Sequence, residues 1–361
     1  MKVLIDIGHP AHVHLFKHFA WLMQDKGHEI FFTCRDKEFE IYLLKKYGFL
    51  FKSFGRKYVS KIGKIWGLIN FDIKELLTGL KFKPDIFLSH GSIYAAHAAY
   101  LLRTPNIALE DTFNFEQLRL SLPFYDVVLT SDYDHPLIFN KKNVSYAGYH
   151  ELAYLHPNRF RPDKKILSEL GVNEGEKYVV MRFVAWQASH DFGNKGFSLE
   201  NQFRAVREFE KHARVFISSE SKLPDELLQY KIPVKPDRMH DAIAYATLLF
   251  GESSTMAEEA AMLGVPAIYL SSISTHYTNH LENKYGLVVN FSNSLEDQSL
   301  AIAKGLDLLT HTGVKLDWQK CRDRLLSERI DVTAFMVWFV ENFPDSIRIM
   351  KQDPSYQQRF K

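Results

Sequence analysis

The strongest constraint on the fold is a rhythm that the chain plays twice. Short apolar runs, each too short for a helix and too continuous for a half-exposed strand, alternate with longer segments of helical apolar spacing. The runs are 2–7, 29–34, 50–51, 86–89, 106–109 and 127–130, and after an interruption 178–183, 215–218, 248–250, 267–270 and 287–290. Strands that are apolar on both faces belong to parallel sheets covered by helices on each side. The interruption, His156-Pro157-Asn158-Arg159-Phe160-Arg161-Pro162, has linker composition. The expectation is an α/β protein with an N-terminal domain over 1–155, a second over 163–330, and a closing helix and tail over 331–361. With 361 residues, two separate cores are affordable.

Composition narrows the function by exclusion. A net charge of +2 gives no global attraction for nucleic acid. The two cysteines, Cys34 and Cys321, lie far apart in sequence, so neither a disulfide framework nor a cysteine-rich metal site is expected, which suits a reducing cytoplasm. The first apolar run breaks at Asp6, too early for a signal peptide, and no stretch approaches the ~20 apolar residues that span a bilayer.

The second half is organised around 246–270. A strand ends at Phe250, Gly251-Glu252-Ser253-Ser254-Thr255 forms a turn, Met256 to Leu263 carries helix formers, and Gly264 stops the helix. Such a turn exposes helix N-terminal amides at the sheet edge where ligands bind, a natural anion seat. Glu258 and Glu259 lie one turn inside, poorly placed for bare phosphate but suited to ribose hydroxyls, and a nucleotide diphosphate satisfies both demands. The alternative is an ordinary βαβ unit with a serine cap and solvated glutamates.

These residues also carry a resemblance. Glu252-Ser253-Ser254-Thr255-Met256-Ala257-Glu258-Glu259-Ala260, followed by Leu263-Gly264-Val265-Pro266, resembles the Asp-Ser-Gly-Gly-x-Gln-Glu-Glu-Ala…Gly-x-Pro segment of non-hydrolysing UDP-N-acetylglucosamine 2-epimerases. It is also similar to the matching segment of GT-B glycosyltransferases such as the GlcNAc transferase that makes lipid II. The resemblance implies a GT-B architecture of two Rossmann-like, doubly wound parallel-sheet domains with an interdomain crevice, in a domain-of-unknown-function branch of that superfamily. It further implies that Ser253, Ser254 and Thr255 hold a diphosphate, with Glu259, and Glu258 beside it, near ribose.

In the first domain, Gly8-His9-Pro10-Ala11-His12 turns from strand to helix, and a histidine there has a pKa suited to a general base. His12 is the first candidate and His9 the second, with backbone capping as the alternative role. His14 and His18 are four apart, but without the other ligands of a zinc motif they fit a solvated helix face better, and no metal is expected. Ser89-His90-Gly91-Ser92 and Ala108-Leu109-Glu110-Asp111 are similar to the His-Gly-Asp and Val-Glu-Ala-Gly segments of the 2-epimerases. Glu110 matches an acidic group of those enzymes, or else pairs with Arg119 or Arg103, whereas Ser92 stands where the other acid would be. Losing an acid/base member typically removes ~10²–10⁴-fold in rate, which weighs against epimerisation. Between the third and fourth strands, Ile62, Ile65, Trp66 and Ile69 form an apolar helical stripe beside Arg56, Lys57, Lys61 and Lys64. It faces either the core or an anionic membrane.

In the second domain Arg182, at a strand end, is a candidate counter-charge for diphosphate, or a partner in an internal ion pair. The following loop places His190 and Asp191 as candidates. By resemblance, uracil falls near Arg238, Met239 and His240, and His276 near the donor sugar. The reading that unites these is a metal-independent glycosyltransferase needing no cofactor beyond its UDP-sugar donor. Its partners would be the nucleotide-sugar and a glycan or lipid-linked acceptor of cell-surface polysaccharide synthesis, with room for a peripheral contact at the inner face of the membrane. A UDP-GlcNAc 2-epimerase-like enzyme and a non-catalytic nucleotide-sugar binder are the alternatives.

Overall fold

The computed structural model describes residues 1–56, 58, 60–112, 115–133, 141–184, 196–273 and 275–361. The chain divides into unit 1, Met1–Arg159 with Arg329–Lys361, and unit 2, Phe160–Glu328.

Unit 1 runs β1 (Lys2–Ile7), α1 (Pro10–Asp25), β2 (Glu29–Asp36), α2 (Glu40–Lys46), β3 (Phe51–Arg56), α3 (Lys61–Phe82), β4 (Ile86–His90) and α4 (Ile93–Leu102). It continues with β5 (Asn106–Leu109), α5 (Phe115–Ser121), β6 (Val127–Ser131), β7 (Asn143–Tyr146) and α6 (Leu152–Leu155). All seven strands are parallel, in the order β3-β2-β1-β4-β5-β6-β7. The seventh strand is absent from the sequence rhythm, because Asn143-Val144-Ser145-Tyr146 buries only alternate residues deeply. The small residues Ala95, Ala96, Ala98 and Ala99 let α4 sit directly on the sheet.

Unit 2 runs α7 (Lys165–Leu170), β8 (Tyr178–Phe183), α8 (Leu199–Phe209), β9 (Arg214–Ser219), α9 (Met239–Tyr245), β10 (Leu248–Gly251) and α10 (Ser254–Leu263). There follow β11 (Ala267–Leu270), α11 (His276–His280), β12 (Val288–Phe291), α12 (Leu295–Thr310) and α13 (Val314–Glu328). Its five strands are parallel in the order β12-β11-β10-β8-β9. The core gathers Val179, Met181, Phe209, Ile217, Phe250 and Ile268, all without solvent exposure. The chain then re-enters unit 1 through α14 (Val332–Glu341) and α15 (Asp345–Gln352). Asp331 caps α14 and holds the Arg159 guanidinium at 2.7 Å.

One expectation about a helix face needs correction, and one left open is decided. His14 is buried and His18 half-buried, not solvated, because α1 packs against α6 and α14. Burial, reinforced by the Lys17 and Arg159 charges, drops the His18 pKa to about 3. The stripe on α3 does not face the core: Ile65, Trp66 and Ile69 are exposed.

Candidate functional site

In unit 1 the chain leaves β1 for β2 on one side and later returns to place β4 on the other. The carboxyl ends of β1 and β4 therefore form a topological switch point, the position where open α/β sheets bind ligands. Histidines from three parts of the chain converge there. His9 caps α1, its Nδ1 accepting the Ala11 N–H at 3.2 Å. His12 lies in the first turn, and its Nδ1 accepts the Gly8 N–H at 3.2 Å, so the neutral ring carries its proton on Nε2. His90 ends β4, with its ring centroid 4.4 Å from that of His12.

Asp111 organises the charges. Its Oδ1 lies 2.9 Å from His90 Nε2 and its Oδ2 lies 2.7 Å from His150 Nδ1. Burial opposes charge on His90, but the Asp111 carboxylate outweighs it and pushes the pKa up to about 9. Burial likewise opposes ionisation of Asp111, yet the two imidazoles hold its pKa well below the usual carboxylate range. For His12 burial acts first, and the His90 and His9 charges add to it, so its pKa falls well below the ordinary 6.5. At neutral pH the pair is a charged His90 beside a neutral His12.

Beneath this cluster lies a fixed polar floor. Asp6 accepts from the Arg35 guanidinium, from Thr33 Oγ1 at 3.0 Å and from Ser92 Oγ at 2.5 Å. The Oε1 of fully buried Glu75 lies 3.1 Å from the same Thr33 Oγ1. Its carboxyl is driven well above the usual range, first by burial and then by Asp6. Ser92 also caps α4, so the residue at the missing acid position is a structural cap. Glu110 is buried, and its Oε1 accepts the Thr112 N–H at 3.1 Å and hydroxyl at 2.8 Å. Its Oε2 rests over Gly91, where φ is +56° and a Cβ would fall 2.7 Å from that oxygen.

Among the described residues, His90, Asp111 and His150 form the one group whose ligand atoms lie close enough, within 4.8 Å, to share a metal ion. The carboxylate reaches the two rings through different oxygens, which is hydrogen-bonded geometry, not convergence on one centre. Sequence reasoning picked out the strand-end turns that hold His90 and Asp111 but gave neither residue a role, and it passed over His150.

In unit 2 the switch point falls between β8 and β10. Gly251 ends β10 with φ +155°, and a Cβ there would lie 2.1 Å from the Arg182 carbonyl oxygen, so only glycine fits. Glu252 turns inward, accepting the Phe197 N–H at 2.6 Å and the Val184 N–H at 3.2 Å. Ser253 caps α10 through the Met256 N–H at 3.3 Å, and Ser254 Oγ lies 3.0 Å from the Tyr277 hydroxyl. Thr255 completes the half-buried first turn.

The solvated-glutamate alternative is corrected: Glu258 and Glu259 are buried, and Glu259 Oε1 lies 2.8 Å from His240 Nε2. Met239 opens α9, half-buried, directly before His240. Arg238 is engaged with Asp163, Glu169 and Asp241. Arg182 binds Ser218 Oγ at 2.8 Å and Glu220 at 2.7 Å, the internal ion pair weighed as its alternative role. His276 is exposed at the start of α11, and His190 and Asp191 lie outside the described residues.

Two parallel-sheet α/β units with ligand-type turns at their switch points define the GT-B fold, and solved structures agree. A UDP-GlcNAc 2-epimerase from Neisseria meningitidis bound to UDP-GlcNAc is similar with TM-score 0.67 and 15% identity, over 88% of this chain and 94% of its own. MnaA of S. aureus in complex with UDP gives 0.69 and 12%, over 96% and 97%. The Streptomyces sp. SF2575 glycosyltransferase SsfS6 gives 0.59 and 12%, over 95% and 100%. At these identities the likeness shows the fold. The chain belongs to the DUF354 family, described as a protein of unknown function, which matches residues 1–276. Among curated proteins none matches it in sequence.

Proposed function

We propose that this protein is a nucleotide-sugar-dependent glycosyltransferase that moves a sugar from a UDP-sugar to a glycan or lipid-linked acceptor. The observation that carries the reading is the turn before α10. There a glycine-only approach, a serine-capped helix N-terminus and two buried glutamates occur within nine residues, Gly251 to Glu259. The amides of Ser254 and Thr255 suit a diphosphate. Glu259, steadied by His240, suits ribose. Stabilising the departing diphosphate is the large contribution to such a transfer. UDP-GlcNAc and UDP are the ligands named for two of the similar structures.

Unit 1 supplies the acceptor-side groups in this reading. His12 is the group meant to meet the acceptor hydroxyl, and neighbouring Asp111 and His90 fix the local charge. The 2-epimerase alternative is disfavoured because Ser92 caps a helix where a second acid is required. Incubation with UDP-GlcNAc alone separates the readings. A transferase leaves the nucleotide-sugar intact until an acceptor is added, and then releases UDP. Formation of UDP-ManNAc without acceptor would mark an epimerase of the non-hydrolysing type, and binding that never leads to turnover with any acceptor would mark a binder.

A further inference from the structure

The outward face of α3 is lined by exposed apolar side chains. Ile65, Trp66, Ile69, Ile73, Leu77 and Leu80 fall on about a third of the helix circumference, and each is 49–67% exposed. A helix of 22 residues whose solvent side is continuously apolar presents far more than the scattered hydrophobes of an ordinary surface. The opposite side is already satisfied by packing on α4 and by Phe71, Glu75 and Gly79. Among the described residues nothing covers the outward face.

Charge selects the occupant. Segment 56–83 holds seven basic and two acidic residues, a net +5 in a chain whose total is +2. The two acids are withdrawn from the exposed face: Asp72 pairs with His97 at 2.9 Å and Glu75 is fully buried. Arg56 precedes one end of the helix, and Lys81 and Lys83 stand at the other. A second copy of the chain would set +5 against +5, whereas an anionic lipid surface matches both the apolar face and its basic ends. No helix among the described residues is long and apolar enough to cross a membrane, so α3 would lie along the surface.

We infer that α3 is an interfacial helix that docks unit 1 on an anionic bilayer, with Trp66 and the isoleucines entering the headgroup boundary. The helix starts at the carboxyl end of β3, the sheet edge that carries His12 and His90. Docking itself does not rest on the donor chemistry proposed above.

The test is co-sedimentation of the full chain with vesicles of phosphatidylglycerol mixed into phosphatidylcholine, against phosphatidylcholine alone. The expected result is binding that requires the anionic lipid, falls at about 0.5 M salt where the Debye length is below ~5 Å, and shifts Trp66 fluorescence to the blue. The exposed-site variant Ile69→Glu/Ile73→Glu, its fold checked by circular dichroism, should bind at least tenfold more weakly. Equal sedimentation with and without anionic lipid, or an unchanged variant, would overturn the inference. So would a wild-type dimer that the same variant converts to monomer.

Discussion

The rings of His12 and His90 lie with centroids 4.4 Å apart, yet their pKa values move in opposite directions, His12 downward and His90 up to about 9. Asp111 makes the difference, because it touches His90 directly and His12 only through space.

Histidine NMR should therefore show His90 titrating near pH 9 and His12 below its ordinary 6.5. The raised His90 pKa contributes stability that is complete below pH 6.5 and lost as pH rises through 9. The amount is on the order of 3 kcal/mol. His12, which must stay neutral when folded, opposes folding as pH falls below 6.5. A His90 titration near 6.5 would contradict this assignment.

Asp111→Asn removes the carboxylate shared by His90 and His150. Breaking a buried charge pair from one side should cost about 3–5 kcal/mol, read by urea denaturation. The same variant should bring the His90 titration down from about 9, since its burial then acts unopposed by the largest attractive charge.

Gly251→Ala places a methyl 2.1 Å from the Arg182 carbonyl oxygen, inside the β8–β10 pairing. Neither backbone can give way without breaking the ladder. The expected destabilisation is at least about 3 kcal/mol, visible as a lowered thermal midpoint or as insoluble protein.

Arg182→Met tests whether this arginine serves the fold or a ligand. Its guanidinium is committed to Ser218 and Glu220, so the loss should appear in stability, at about 1–3 kcal/mol. UDP affinity measured by calorimetry should change less than about threefold, the equivalent of ~0.7 kcal/mol. A large loss of affinity with stability unchanged would assign it to the diphosphate instead.

Both doubly wound parallel sheets were legible in the sequence because apolar runs such as Val3 to Ile5 and Tyr178 to Met181 are buried on both faces and leave little choice of partner. The β10–α10 turn was legible because the period changes at Gly251 and the helix stops at Gly264. Burial of charge was not. The sequence left Glu258 and Glu259 open between a ribose contact and a solvated face, and only the packing of α9 beside α10 puts His240 within reach of Glu259. The cluster of His90, Asp111 and His150 comes from the ends of β4, β5 and β7, so no spacing along the chain announces it. The α3 stripe was visible as a pattern, but a helical apolar period is the same whether the face meets a core or the outside.

The most direct measurement is calorimetric titration of UDP into the wild-type chain and into Glu259→Ala. Binding by the wild type, weakened at least tenfold or about 1.4 kcal/mol in the variant, is the predicted result. Absence of heat with UDP and every other nucleoside diphosphate, from a wild-type chain shown to be folded, would contradict the account.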